Sequence, residues 1–167
     1  MSATPISIWR WYGVALLAVL LDQGTKGVIA STFELAERVP VSTFFNLVYV
    51  LNPGAAFSFL AEAGGWQRYF FIALALLVSA WLVFMLRIQR PRYEALGLSL
   101  VLGGAVGNVV DRIATGAVVD YLDFHWNEVH WPAFNLADVF VNAGVLLLLL
   151  AIFRESSPKV VPERPGT

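Results

Sequence analysis

A chain of 167 residues has room for one compact unit, and 58% of it is hydrophobic against 14% charged, where soluble domains carry roughly a quarter charged residues. With a mean hydropathy of +0.69, the apolar surface exceeds what a single soluble core of this length can bury, so much of it must face lipid. The formal net charge of −1 argues against a nucleic-acid partner or a polybasic surface anchor, and the absence of cysteine excludes disulfides and thiolate metal sites.

The first apolar span runs from Trp9 to Val28 and is interrupted only by Arg10, Asp22, Gln23 and Lys26. No A-x-A site follows it, so it reads as a retained helix and not as a cleaved signal peptide. A segment of about 40 residues comes next, too long for a simple turn. Within it, Phe44 to Leu51 is aromatic and β-branched and Asn52-Pro53-Gly54 follows as a turn. This predicts a strand, a turn and a second strand through Ala55 to Phe59, a small sheet at the membrane surface.

The second span, Tyr69 to Leu86, carries no charge and lies between Arg68 and Arg87. Ala95 to Val110, rich in Gly, Leu and Val, is the third. Ala137 to Phe153, with Asp138 and Asn142 near its start, is the fourth. Each approaches the roughly 20 residues that cross the hydrocarbon as a helix, the third and fourth only when their ends are extended. The predicted fold is an all-α membrane protein of four transmembrane helices, with a small extracytoplasmic β-element between helices one and two. One membrane unit covers residues 1–155, and residues 156–167, rich in Pro, Ser and charge, read as a disordered tail.

The Arg and Lys bias of the loops sets the orientation. Arg10, then Arg87, Arg90 and Arg92, then Arg154, Lys159 and Arg164 all fall on one side of four spans. The opposite loops hold Glu34, Glu37, Glu62, Asp120, Asp123 and Glu128. Both termini are therefore expected in the cytoplasm and the two longer loops outside it. Trp9, Trp11, Trp66, Tyr69, Trp126 and Trp131 lie near span ends, where interfacial aromatics belong.

Polar residues near a span need a reason, because hydrocarbon penalises them. Asp22 and Lys26 have the i, i+4 spacing of a helical ion pair in its favourable order, which gives a salt bridge at the membrane exit. Gly103 and Gly107 form a G-x-x-x-G face for close helix approach. Asn108 lies one turn from both Asp111 and Arg112; those two are adjacent in sequence and point in different directions. Asp120 sits in the loop after the third span, an acid in an apolar stretch. Asn135 fits as the N-cap of the fourth helix with Asp138 at its third position, an acid favoured by the helix dipole.

Each feature alone has a structural reading; their combination says more. Two Asn-x-x-Asp pairs, one ending the third span and one opening the fourth, flank the loop that bears Asp120. Antiparallel neighbouring helices bring Asp120 and Asp138 to the same interfacial level. Two carboxyl groups in one poorly hydrated site share a proton. The ionised member then takes a proton from water while the protonated one polarises a carbonyl. The chemistry needs no metal, cofactor or covalent nucleophile. His125 and His130 stand alone in the sequence, without an H-E-x-x-H helix.

These residues resemble the lipoprotein signal peptidases (signal peptidase II). The resemblance rests on Asp22-Gln23-Gly24-Thr25-Lys26, Asn52-Pro53-Gly54-Ala55-Ala56-Phe57-Ser58, Gly107 to Arg112, Val118-Val119-Asp120 and Phe134 to Asp138. These five motifs stand in the family's order between Leu21 and Gly144. Val139-Phe140 follow the last Asp, where the family often has a small or hydroxyl residue. The resemblance implies that Asp120 and Asp138 are a catalytic dyad and that Asn52, Asn108, Arg112 and Asn135 line the substrate site. Asp22 and Lys26 are implied to support it, with Gly54 and Asp111 counted in the same set. It further implies a membrane-embedded monomer whose substrate is a diacylglyceryl-modified prolipoprotein, cut just before the lipidated cysteine. Two rivals from other classes are weaker. An ion-coupled transporter would string its acids through the bilayer midplane, not at one interface. A scaffold would leave both Asn-x-x-Asp pairs without a role.

Overall fold

The computed structural model describes residues 8–54 and 64–155, so the second strand expected over Ala55 to Phe59 and the tail over 156–167 lie outside the described residues. Among the described residues eight elements follow in order: α1 (Ile8–Thr32), β1 (Arg38–Pro40), β2 (Phe45–Asn52), α2 (Trp66–Leu86), α3 (Arg92–Ala114), β3 (Val118–Trp126), β4 (Val129–His130) and α4 (Leu136–Glu155). All four helices are long and apolar enough to cross a membrane. Each runs beyond the apolar stretch that announced it, by most in α1 and α3. The cause is that the polar residues ending those stretches turn into the bundle: Asp22, Lys26, Asp111 and Arg112 are all buried. A helix whose polar groups are satisfied internally does not have to stop where hydropathy does.

Helix α3 is central and packs on the other three helices. The G-x-x-x-G face works as expected at Gly103, where an added Cβ would fall 2.6 Å from the Cβ of Ala18 on α1. The next residue, Gly104, abuts the carbonyl of Ala137 on α4. Adjacent glycines thus bring the backbones of two different helices against α3, which suits packing in lipid, where close contact replaces the hydrophobic drive. Tyr12, Leu82, Leu86, Ala95, Leu98 and Leu102 fill the end of the bundle away from the sheet. Leu16, Leu20, Leu74, Leu77, Trp81, Leu146 and Phe153 point outward and are exposed, a surface suited to acyl chains and not to water.

At the other end the strands form one antiparallel sheet in the order β1-β2-β3-β4. Helix α3 stops at Thr115, and Gly116 follows at φ +87°, a left-handed turn that glycine makes without strain. The chain then enters β3. Val118-Val119-Asp120, read from the sequence as loop, is the start of this nine-residue strand, so the β-element draws on both extramembrane segments. Its first four residues are all buried, so no in–out alternation marks them as a strand. Between Leu47 and Val50 the β2–β3 register slips, with three steps on β2 against two on β3, a bulge that re-aims the side chains beside it. Phe134 is then pinned to β3: its N–H donates to Leu122 and its carbonyl accepts from Tyr121 and Leu122. That pairing delivers the start of α4 next to Asp120.

Candidate active site

Asp120 projects from β3 and is 3% exposed. Asn52 Nδ2 donates to its Oδ2 at 3.0 Å and Asn135 Nδ2 donates to its Oδ1 at 2.7 Å. Desolvation by burial, reinforced by the charge of Asp138, outweighs those two hydrogen bonds and pushes its pKa up to about 7.

Asp138 stands in the first turn of α4. The capping box expected there is present: Asp138 N–H donates to Asn135 Oδ1 at 3.0 Å, and Asn135 N–H donates to Asp138 Oδ2 at 3.2 Å. The other oxygen, Oδ1, accepts from Asn108 Nδ2 at 2.9 Å. Asn135, fully buried, therefore reaches both acids, Asp120 with its carboxamide and Asp138 with its backbone amide. The two carboxyl groups open into one cleft of about 520 Å³, together with Asn52, Asn108 and Arg112. Trp131, Phe134 and Val141 supply apolar wall.

Arg112 brings a positive charge to that wall. Its Nη2 donates to the carbonyl of Gly54 at 2.7 Å, Nη1 donates to the carbonyl of Asn108 at 3.3 Å, and the guanidinium lies 5.2 Å from the ring centre of Phe71. Asn52 Oδ1 in turn accepts from the Gly54 N–H at 3.0 Å. The Asn52-Pro53-Gly54 turn is thus tied to Asp120 on one side and to α3 on the other.

Asp22 and Lys26 make the expected i, i+4 pair at 2.8 Å, but at 0% and 3% exposure it lies inside the bundle and not at a wet membrane exit. Lys26 Nζ also meets Asp111 Oδ2 at 2.8 Å and donates to Asn108 Oδ1 at 3.0 Å. The ten residues that the resemblance assigns to the site therefore fall in one connected polar cluster. Gln23 belongs to it as well, with Nε2 donating to Asp111 Oδ1 at 2.8 Å. Its one signal was a polar residue next to Asp22.

A second polar group went unread. His125 and His130, isolated in sequence, stack with ring centres 4.9 Å apart across the β3–β4 pair, and His130 Nδ1 lies 2.8 Å from Asp123. Their signal was positional: one precedes and one follows Asn127-Glu128, so a hairpin there makes them neighbours. A larger, shallower hollow of about 680 Å³ lies beside them among Phe44, Trp126 and Trp131. It contains no paired acids, which makes the smaller cleft the candidate.

The chain is similar to known proteins along most of its length. A family model described as Signal peptidase (SPase) II matches residues 14–154. A lipoprotein signal peptidase of Cupriavidus necator is 53% identical over 150 residues, covering 89% of this chain and 84% of that protein. Another from Neisseria gonorrhoeae is 47% identical over 95% of this chain and 99% of its own length. A bacterial membrane enzyme solved by the in meso method superposes with a TM-score of 0.85 at 29% identity, with both chains fully covered.

Proposed function

The chain belongs to the signal peptidase II family, the proteases that remove signal peptides from lipoproteins, and we propose that it does so as an aspartic endopeptidase with Asp120 and Asp138 as its catalytic residues. The observation that carries this is Asn135, which holds both carboxyl groups toward one cleft at hydrogen-bond distance. Asp120, with its pKa raised to about 7, is the member that keeps the proton. Asp138, at a helix N-terminus and accepting two N–H bonds, is the ionised one.

In the reaction a water molecule sits between the acids. Asp138 takes its proton as the oxygen attacks the scissile carbonyl, while Asp120 donates its own proton to the carbonyl oxygen. The tetrahedral diol then collapses: one hydroxyl proton returns to Asp120, the proton on Asp138 passes to the leaving amine, and the C–N bond breaks. Arg112 and the carboxamides of Asn52 and Asn108 line the path of the substrate backbone. The substrate is a diacylglyceryl-modified prolipoprotein cut just before its lipidated cysteine. An interfacial cleft suits it, since its signal helix and acyl chains lie in the bilayer while the scissile bond stands at the edge. The loop charges support an orientation with both termini in the cytoplasm and the cleft near the extracytoplasmic face, in which the enzyme acts as a monomer among membrane lipid.

The test is intact-mass analysis of a diacylglyceryl-modified prolipoprotein incubated with purified protein in detergent. Cleavage before the modified cysteine by wild type, lost in folded Asp120→Asn and Asp138→Asn, is the expected outcome. Turnover by either folded variant at a rate near that of wild type refutes the dyad.

A further inference from the structure

Three charged side chains buried beside the cleft take no part in this chemistry: Asp22, Lys26 and Asp111. Burying them is costly, and their mutual attraction does not by itself explain why they are there. What sets them apart is where their outer contacts go. Asp22 Oδ1 accepts the backbone N–H of Ala137 at 2.8 Å, and Asp111 Oδ2 accepts the backbone N–H of Val119 at 3.1 Å. Ala137 immediately precedes Asp138, and Val119 immediately precedes Asp120. Each acid of the pair is therefore held, through the amide beside it, by one carboxylate of the cluster. Lys26 Nζ ties those two carboxylates together at 2.8 Å each, and Gln23 Nε2 donates to both at 3.2 and 2.8 Å. The same lysine fixes the amide orientation of Asn108, whose Oδ1 accepts from it at 3.0 Å while Nδ2 donates to Asp138.

We propose that Asp22, Lys26 and Asp111 form a spacer that sets the separation and aim of Asp120 and Asp138, three positioning residues that do not touch the substrate. A cluster serving only to staple α1 to α3 would need the ion pairs but neither amide contact. The Ala137 N–H is one of the first-turn donors that its own helix cannot satisfy, and α1 supplies its partner. Gly107 on α3 leaves Asp22 the room to reach it, since a Cβ there would stand 2.5 Å from Asp22 Oδ2. The proposal rests on the reading of Asp120 and Asp138 as the catalytic pair.

The experiment measures kcat, KM and the folded fraction across pH for the full chain in detergent with the lipid-modified prolipoprotein. It compares wild type, Asp120→Asn, Lys26→Met and Asp111→Asn. Acids that drift apart repel less, so the two limbs of the pH–rate profile should move toward each other. Loss of a nearby charge alone, with Arg112 and the other groups facing the pair unchanged, shifts both limbs in the same direction. In Lys26→Met, kcat should fall about a hundredfold with KM nearly unchanged, the expected effect of misplacing reacting groups by about 1 Å. Asp111→Asn keeps the size of the side chain and an acceptor for Val119, so it folds even where Lys26→Met does not. It should show the same narrowing with a loss of about tenfold. An unchanged gap between the limbs in folded Asp111→Asn, or a rate loss that follows the folded fraction, overturns the spacer alone. Turnover by Asp120→Asn at a rate near that of wild type overturns the catalytic reading and the spacer with it.

Discussion

Asp120 and Asp123 sit three residues apart on β3, are each 3% exposed, and each accepts a hydrogen bond from an asparagine of β2, Asn52 in one case and Asn46 in the other. Yet their acidities diverge. Around Asp123, burial works to raise the pKa, but the hydrogen bonds from Asn46 and His130 and the charge of Arg38 outweigh it and hold the carboxyl below the usual range. Around Asp120 burial prevails, helped by Asp138, and the pKa rises to about 7. Strand and amide partner being alike, what separates the two is how deeply each is surrounded and by what: burial is the largest influence on Asp120 and Asp138 adds to it, whereas the hydrogen bonds and cations around Asp123 overcome a weaker burial. A carboxylate facing cations serves as a structural tie; one facing a second acid is a proton donor in waiting.

Substitution separates the two acids most visibly. Asp120→Asn should lower cleavage about a thousandfold while the protein stays folded. Asp123→Asn should cleave within severalfold of wild type but lose about 1–2 kcal/mol of stability, read by thermal unfolding. Equal activity in the two variants contradicts the contrast.

A pH series sharpens it. As the proposed donor, Asp120 would work only while protonated, so kcat/KM should fall about tenfold per pH unit above about 7. Stability carries the same signature. The folded state keeps a proton on Asp120 that the unfolded chain releases near 3.8, so stability falls as pH rises from there to about 7. Asp120→Asn escapes that loss, and its gain in unfolding temperature over wild type should grow between about pH 5 and about pH 8. Asp123, whose pKa is lowered in the fold, contributes with the opposite sign: its stabilisation is present above the unfolded value and fades as pH falls below it. A gain for Asp120→Asn that stays flat with pH rules out the raised pKa.

Smaller effects probe the surroundings of each acid. Gly107→Ala pushes a methyl group against Asp22 and should cost about 1–3 kcal/mol, with activity falling about tenfold. Arg38→Gln removes a partner of Asp123 that is 53% exposed; it should cost less than about 1 kcal/mol and leave the cleavage rate unchanged.

The four spans were legible because long apolar runs report lipid contact directly. Their ends were not, since Lys26 and Arg112 look like residues that leave the membrane until partners inside the bundle are seen. Asn135 and Asp138 could be read as a cap from spacing alone, because a capping box is local. The link from Asp111 to Val119 crosses from helix to strand and has no local signature, and Asp120 in an apolar run argued against the strand that holds it. The tie of Asp123 to Arg38, Asn46 and His130 draws one residue from each of the four strands, so it becomes visible only once the register is known. Local chemistry was readable; pairing between distant segments was not.

The most direct test of the proton-sharing pair is a carboxyl titration by NMR of protein labelled with ¹³C at aspartate, with the Asp120 signal assigned by its loss in Asp120→Asn. The expected midpoint is about 7, moving down in Asp138→Asn, where the neighbouring charge is gone. A midpoint in the ordinary carboxylate range, or one indifferent to Asp138, would contradict it.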